Sequence, residues 1–123
     1  PPAWASDRVA IEDDAFGGFS YPAGTTVGLF LYGLHRHPDH WDAPDEFRPA
    51  RFLEEGVPGA GTYLPFGAGP RACIGSGFAM AEMTWFLARL VARFDLSPIG
   101  PEPRGVAEIT LRPDRVRVGL QGR

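Results

Sequence analysis

The sequence predicts a mainly α chain with small β-sheets, and three observations lead there. Gly75 to about Arg93 has the length and apolar content of one long helix. Short apolar runs on either side of it are bounded by glycine and proline, as strands are. Pro38, Pro44, Pro49 and Pro58 recur too closely for a long helix, so residues 38–65 are expected to be a meander of turns.

Taken in order, Val9 to Ile11 and Phe16 to Phe19 have the composition of short strands. Tyr21-Pro22-Ala23-Gly24-Thr25 is a turn, with proline presetting one dihedral and Gly24 free to take a positive φ. Thr26 to Leu31 is an apolar strand that runs into a short helical turn near Tyr32 to His35. In the long helix, Glu82, Arg89 and Arg93 fall at i, i+7 and i+11 on one narrow face. Phe78, Met83, Trp85, Leu87, Leu90 and Val91 occupy the rest, so the helix is expected to be mostly buried. Leu96-Ser97-Pro98, Ile109 to Leu111 and Val116 to Leu120 are expected strands of a small sheet. No internal repeat is present, so the pattern is one domain or part of one.

Composition narrows the function. The 123 residues are 44% hydrophobic, ordinary for a chain with a core. Sixteen glycines and thirteen prolines make it rich in loops. A net charge of −3 without a basic tract speaks against nucleic acid as a partner. All twelve basic residues are arginine. The single cysteine excludes an internal disulfide and fits a reducing compartment. No signal peptide or membrane-length apolar run occurs. The chain opens on Pro1-Pro2 without an initiator methionine, which fits a piece of a longer protein.

The chemistry concentrates in Phe66-Gly67-Ala68-Gly69-Pro70-Arg71-Ala72-Cys73-Ile74-Gly75, a loop ending where the long helix begins. A helix start, with free N–H groups and the positive end of the dipole, favours the thiolate form of a cysteine. Phe66, Gly69, Arg71, Cys73 and Gly75 fill every specified position of Phe-x-x-Gly-x-Arg-x-Cys-x-Gly. That pattern resembles the haem-binding signature of the cytochrome P-450 family. The resemblance extends over essentially the whole chain, through Pro1-Pro2-Ala3-Trp4, Asp7-Arg8-Val9, His35-Arg36-His37-Pro38 and Pro49-Ala50-Arg51-Phe52, then Tyr63-Leu64-Pro65. It implies the C-terminal part of that fold: first-sheet strands, meander, cysteine loop, L helix and C-terminal strands. Residues 1–123 would then be the C-terminal haem-binding portion of a single larger domain.

Carried over residue by residue, the resemblance makes Cys73 the thiolate ligand of iron in haem b, iron protoporphyrin IX. Arg71 and Arg8 would pair with the haem propionates, since a guanidinium fork suits a carboxylate. Phe66 would pack beside the sulfur, and Gly67 and Gly69 would permit close backbone approach. The amides of Ile74 and Gly75 would donate to the sulfur. Arg51 resembles the meander arginine of a buried ionic triad, whose Glu-x-x-Arg partners do not occur in this chain. Left alone, Arg51 would be a buried charge without partners, so this stretch is not expected to fold stably by itself. Ala3, Trp4 and Ala5 occupy the region that lines the substrate side of the haem, with plain packing of Trp4 the equal alternative. The family's other C-terminal substrate loop would fall between Leu111 and Val116, where only Arg112-Pro113-Asp114-Arg115 is available.

The implied function is a haem-thiolate monooxygenase that uses O2 and inserts oxygen into a small organic or lipid-like substrate. Its electrons would come from a flavoprotein reductase or ferredoxin, with Arg89 and Arg93 on the docking side or simply solvated. Ala23-Gly24-Thr25-Thr26 lies in a turn and is not the family's proton-delivery helix, so the iron ligand is the one catalytic group here and the isolated piece is expected to be inactive. A redox-partner-independent peroxygenase, isomerase or dehydratase, a non-catalytic haem-binding fragment and a cysteine redox protein are the alternatives. The last lacks a resolving cysteine. His35, His37 and His40 are close in sequence, but Pro38 spoils metal-ligand spacing. The expected location is cytoplasmic in a bacterium, with an anchor ahead of Pro1 left open.

Overall fold

The computed structural model describes residues 1–54, 56, 59 and 61–123. Pro58, one of the expected helix breakers, lies outside the described residues. The chain divides into two compact units, Pro1–Pro65 and Phe66–Arg123.

The first unit contains strands β1 (Ser6–Val9), β2 (Asp14–Phe16), β3 (Phe19–Tyr21) and β4 (Thr26–Leu29), then short helices α1 (Leu31–Leu34) and α2 (Arg51–Glu54). β1 and β4 pair antiparallel with Arg8 opposite Val27. The turn expected at residues 21–25 forms: the Thr25 amide donates to the Pro22 carbonyl at 3.0 Å and Gly24 takes φ 84°. The amide of Gly24 then donates to the Ala10 carbonyl, ending the ladder there, so Ile11 is exposed and β1 starts earlier than expected. Phe16 to Phe19 is not one strand. Gly17 and Gly18 take φ 61° and 82°, the two positive values of a tight hairpin, and set Phe16 opposite Phe19.

Among the described residues of this unit, Leu31 and Trp41 are the buried apolar ones, 7% and 6% exposed. The indole N–H of Trp41 donates to the Leu34 carbonyl at 3.2 Å, tying the meander to the end of α1. Around the indole stand Tyr63, Phe52 and His35, with ring centroids at 5.7, 6.1 and 6.4 Å. The described residues of the meander form turns as expected, interrupted by α2.

The second unit holds a 3-10 turn (Gly69–Arg71), the long helix α3 (Ser76–Arg93), and strands β5 (Phe94–Pro98), β6 (Gly105–Ala107), β7 (Leu111–Pro113) and β8 (Val118–Gly122). The helix has the predicted extent but not the predicted burial. Phe78 is 74% exposed and Trp85 63%, and no residue of α3 is buried. Two-stranded sheets are too small to cover a helix that is apolar around most of its circumference, so its surface is left open within this unit.

β5 pairs with β8, Leu96 opposite Leu120, and β6 with β7, Val106 opposite Arg112. These are two separate sheets rather than one. β6 was not anticipated, and Ile109 stands in the turn between β6 and β7 instead of in a strand. Leu111–Pro113 is a paired strand, so Arg112 and Pro113, half of the segment where a substrate loop would fall, are committed to a ladder. Eight strands accompany one long helix among the described residues. The mainly α description is therefore corrected for this stretch to a mixed one.

Candidate functional site

The loop from Phe66 to Gly75 is closed by its own backbone. The Cys73 amide donates to the Phe66 carbonyl at 2.8 Å, and the Ala72 amide to the Gly69 carbonyl at 3.0 Å. Pro70 sits in the first turn of the 3-10 segment, where its missing N–H costs nothing. Gly67 and Gly69 take φ 71° and 67°, the left-handed region that a side chain disfavours. Sequence thus dictates shape here, because the two glycines supply the reversals and the proline the rigid middle.

Cys73 is exposed and lies three residues ahead of Ser76, where α3 starts. Its carbonyl accepts the Ser76 amide at 3.3 Å, so the backbone is already winding into the helix. The sulfur lies beside Gly75: a Cβ placed on Gly75 would stand 3.9 Å from Sγ. Among the described residues no hydrogen bond ends on the sulfur, so the amides of Ile74 and Gly75 are near the thiol without donating to it here. Ile74 is fully exposed next to the thiol, Phe78 is exposed one turn into the helix, and Phe66 is half-buried at the loop's start. Arg71 is exposed at the end of the 3-10 turn.

The donor set distinguishes between metal groups. Among the described residues no three His, Cys, Asp or Glu side chains gather to hold a bare ion. One thiol among exposed apolar side chains instead fits haem, which would need a single ligand atom from this stretch of the protein. Its apolar faces would cover surface such as Ile74 that is otherwise left in water.

In the first unit Arg8 lies on β1, where its Nη1 donates to Ser6 Oγ at 2.9 Å and to the Asp7 carbonyl at 2.6 Å. Trp4 packs edge-on against Phe30 at 6.3 Å, and its carbonyl accepts the Tyr32 amide at 2.9 Å. Ala3 and Ala5 beside it are exposed. The three histidines do not converge on a common point: His37 and His40 face each other at 5.2 Å, while His35 joins the Trp41 cluster. Arg89 covers the Trp85 ring at 4.9 Å as a cation over an aromatic face, and Arg93 closes the last turn of α3.

Two arrangements were not visible in the sequence. Arg51 is 7% exposed, yet it does not lack partners. Its Nη1 donates to the Asp42 carbonyl at 2.6 Å and its Nη2 to the Ala43 carbonyl at 2.9 Å. Backbone carbonyls of the meander therefore satisfy a fork that was expected to stand unpartnered. His35 accepts the Leu64 amide on Nε2 at 2.8 Å, a pairing across 29 positions with no local signal. Burial, with Arg36 beside it, pushes the His35 pKa below its ordinary value.

A loop that offers one thiol ahead of a long helix is compatible with a thiolate-liganded haem protein, and comparison with known proteins settles the family. The sequence profile of the Cytochrome P-450 family matches residues 1–118. The chain is 43% identical over its full length to cytochrome P-450 4d2 of Drosophila melanogaster, covering 25% of that protein. It is 44% identical over 68% of its length to the steroid 17-alpha-hydroxylase/17,20 lyase of Rattus norvegicus, covering 17% of that protein. In structure it is similar to the haem domain of cytochrome P-450DA, with a TM-score of 0.89, 32% identity, and 98% of this chain and 28% of the other covered. A zebra fish cytochrome P-450 solved with progesterone matches all of the chain and 28% of its own, at 38% identity and a TM-score of 0.87.

The chain belongs to the cytochrome P-450 family, a family of haem-iron monooxygenases, and spans about a quarter of the fruit-fly relatives it matches. The curated relatives named here are from fly and rat, which gives no support to the expected bacterial source. No helix among the described residues is long and apolar enough to cross a membrane.

Proposed function

We propose that this chain is the cysteine-bearing part of a haem-thiolate monooxygenase, with Cys73 the protein's ligand to the iron of haem b. The observation that carries the reading is the loop itself: a single exposed thiol at the head of α3, on a backbone locked by the Cys73 to Phe66 hydrogen bond. When bound, the haem supplies the binding and activation of O2 for oxygen insertion into a small organic or lipid-like substrate.

The chain's own residues do the holding. Cys73 provides an anionic sulfur whose electron density sets the iron's reactivity. Phe66 limits water beside it, and Gly67 and Gly69 let the backbone approach a flat macrocycle without side chains in the way. Ile74 and Gly75 bring their amides near the sulfur, where a hydrogen bond would temper its charge. Arg71 and Arg8 are the propionate partners, Arg8 turning from its present contacts with Ser6 and Asp7. Trp4, between Ala3 and Ala5, borders the substrate side. Arg89 and Arg93 offer positive charge to a flavoprotein reductase or ferredoxin.

The test is made in the intact protein, reduced and exposed to carbon monoxide. A thiolate-type absorption band is expected, and Cys73→His should abolish that band while leaving haem bound. A band of the imidazole type in the unaltered protein would refute the assignment of Cys73. Arg8→Ala and Arg71→Ala should each reduce haem retained through gel filtration. Turnover that needs NAD(P)H and a reductase separates a monooxygenase from a partner-independent peroxygenase or isomerase.

A further inference from the structure

His35 is the one titratable nitrogen heterocycle in a cluster of rings. Tyr63 stands 5.1 Å from it and Trp41 6.4 Å. Within this cluster its Nε2 accepts the Leu64 amide at 2.8 Å. An imidazole nitrogen accepts only with its lone pair, so the ring is neutral with its proton on Nδ1. Pro65 has no N–H, which makes the Leu64 amide the last backbone donor ahead of Phe66. Phe66 in turn is where the cysteine loop is closed, since its carbonyl takes the Cys73 amide.

We propose that His35 is a positioning residue for the cysteine loop: as a neutral acceptor it anchors the chain entering the loop, and protonation at Nε2 releases that anchor. The inference rests on the reading of Cys73 as the iron ligand. An accepted proton turns the lone pair into a second N–H, which meets the Leu64 N–H head-on and cannot bond to it. A half-buried amide without a partner is then driven toward water. The charged and titratable groups around the ring are Arg36, ion-paired with Asp45, Arg48, ion-paired with Asp42, and Arg51, Glu46 and Tyr63 of the shared hollow. Burial and the nearby Arg36 favour the neutral ring, in line with its lowered pKa.

Three forms of the intact protein test this: unaltered, His35→Gln and His35→Leu. Glutamine offers an acceptor that does not titrate, whereas leucine offers none. Amide hydrogen exchange at Leu64, read without haem, is expected to quicken roughly tenfold in His35→Leu and to recover in His35→Gln. The thiolate-type band of the reduced carbon monoxide complex, followed from about pH 8 to 5, is expected to fade on acidification in the unaltered protein. In His35→Gln it should persist over that range, and in His35→Leu it should be diminished throughout. Equal Leu64 exchange in all three forms would overturn the anchor. A band whose strength and pH profile are the same in all three would overturn its effect on the loop. A thiolate band missing even from the unaltered protein would instead refute the role of Cys73, with Leu64 exchange still reporting on the anchor.

Discussion

The Cys73 amide and the Phe66 carbonyl meet at 2.8 Å, so the aromatic residue that opens the loop and the thiol that closes it are held by one hydrogen bond. Seven positions of chain are thereby folded into a fixed reversal whose bends are taken by Gly67 and Gly69 at positive φ. The residue types at the ends supply the chemistry, and the glycines between them supply the path.

Alanine at Gly67 or Gly69 should therefore damage the site without touching the sulfur. At φ 71° and 67° a Cβ costs about 1–2 kcal/mol per position, because left-handed backbone crowds it against the following carbonyl. Little stands in the way sterically: nothing lies within 4 Å of a Cβ at Gly69, and at Gly67 the nearest atoms are 3.9 Å away. Gly69→Ala in the intact protein should thus weaken haem retention through backbone strain alone. Haem content measured after dialysis checks it, and full retention would show that the loop can be remade around a side chain.

Gly33 presents the opposite situation. Its constraint is space, since a Cβ there would stand 2.5 Å from Phe30 Cδ1. The Phe30 ring is 58% exposed and can turn aside only by giving up its contacts with Trp4 at 6.3 Å and Tyr32 at 6.1 Å. Gly33→Ala would normally favour a helix, yet here overpacking should cost about 1–3 kcal/mol. A urea midpoint lower than that of the unaltered protein is expected, and Phe30→Leu in the same chain should restore part of the loss.

These two glycine cases show what the sequence made legible. Residues in local patterns were readable: the cysteine loop, the Gly24 turn and the length of α3 all follow from neighbours within a few positions. Contacts across long separations were not. Nothing near His35 points to Leu64, and nothing near Arg51 shows that carbonyls of residues 42 and 43 would take its fork. The burial of α3 was misjudged for a related reason. An apolar circumference states what a helix needs to be covered, not whether the chain at hand contains the cover.

Stability should rise with pH through the range in which histidine titrates. Burial and Arg36 lower the His35 pKa from its ordinary 6.5, so the unfolded chain takes up the proton first as pH falls. The contribution of neutral His35 is complete above the unfolded value and is lost as pH drops toward the folded one. Urea midpoints should be level near pH 7 to 8 and decline once the pH falls below about 6.5. His35→Gln should flatten that decline, and an identical slope in the variant would assign the effect to other groups.

Arg51 gives the largest expected loss in the first unit. Its guanidinium is 7% exposed and bonds the carbonyls of Asp42 and Ala43 through two different nitrogens. Removing it strands acceptors in a part-buried meander, and hydrogen bonds to a charged group are the stronger kind, so Arg51→Ala should cost roughly 3 kcal/mol. Lysine would keep the charge but not the fork: one ammonium cannot place donors along both directions at once. Arg51→Lys should therefore recover less than half of the loss in a denaturant titration of the intact protein. Full recovery by lysine would mean that charge, rather than the planar geometry of the guanidinium, is what the meander carbonyls require.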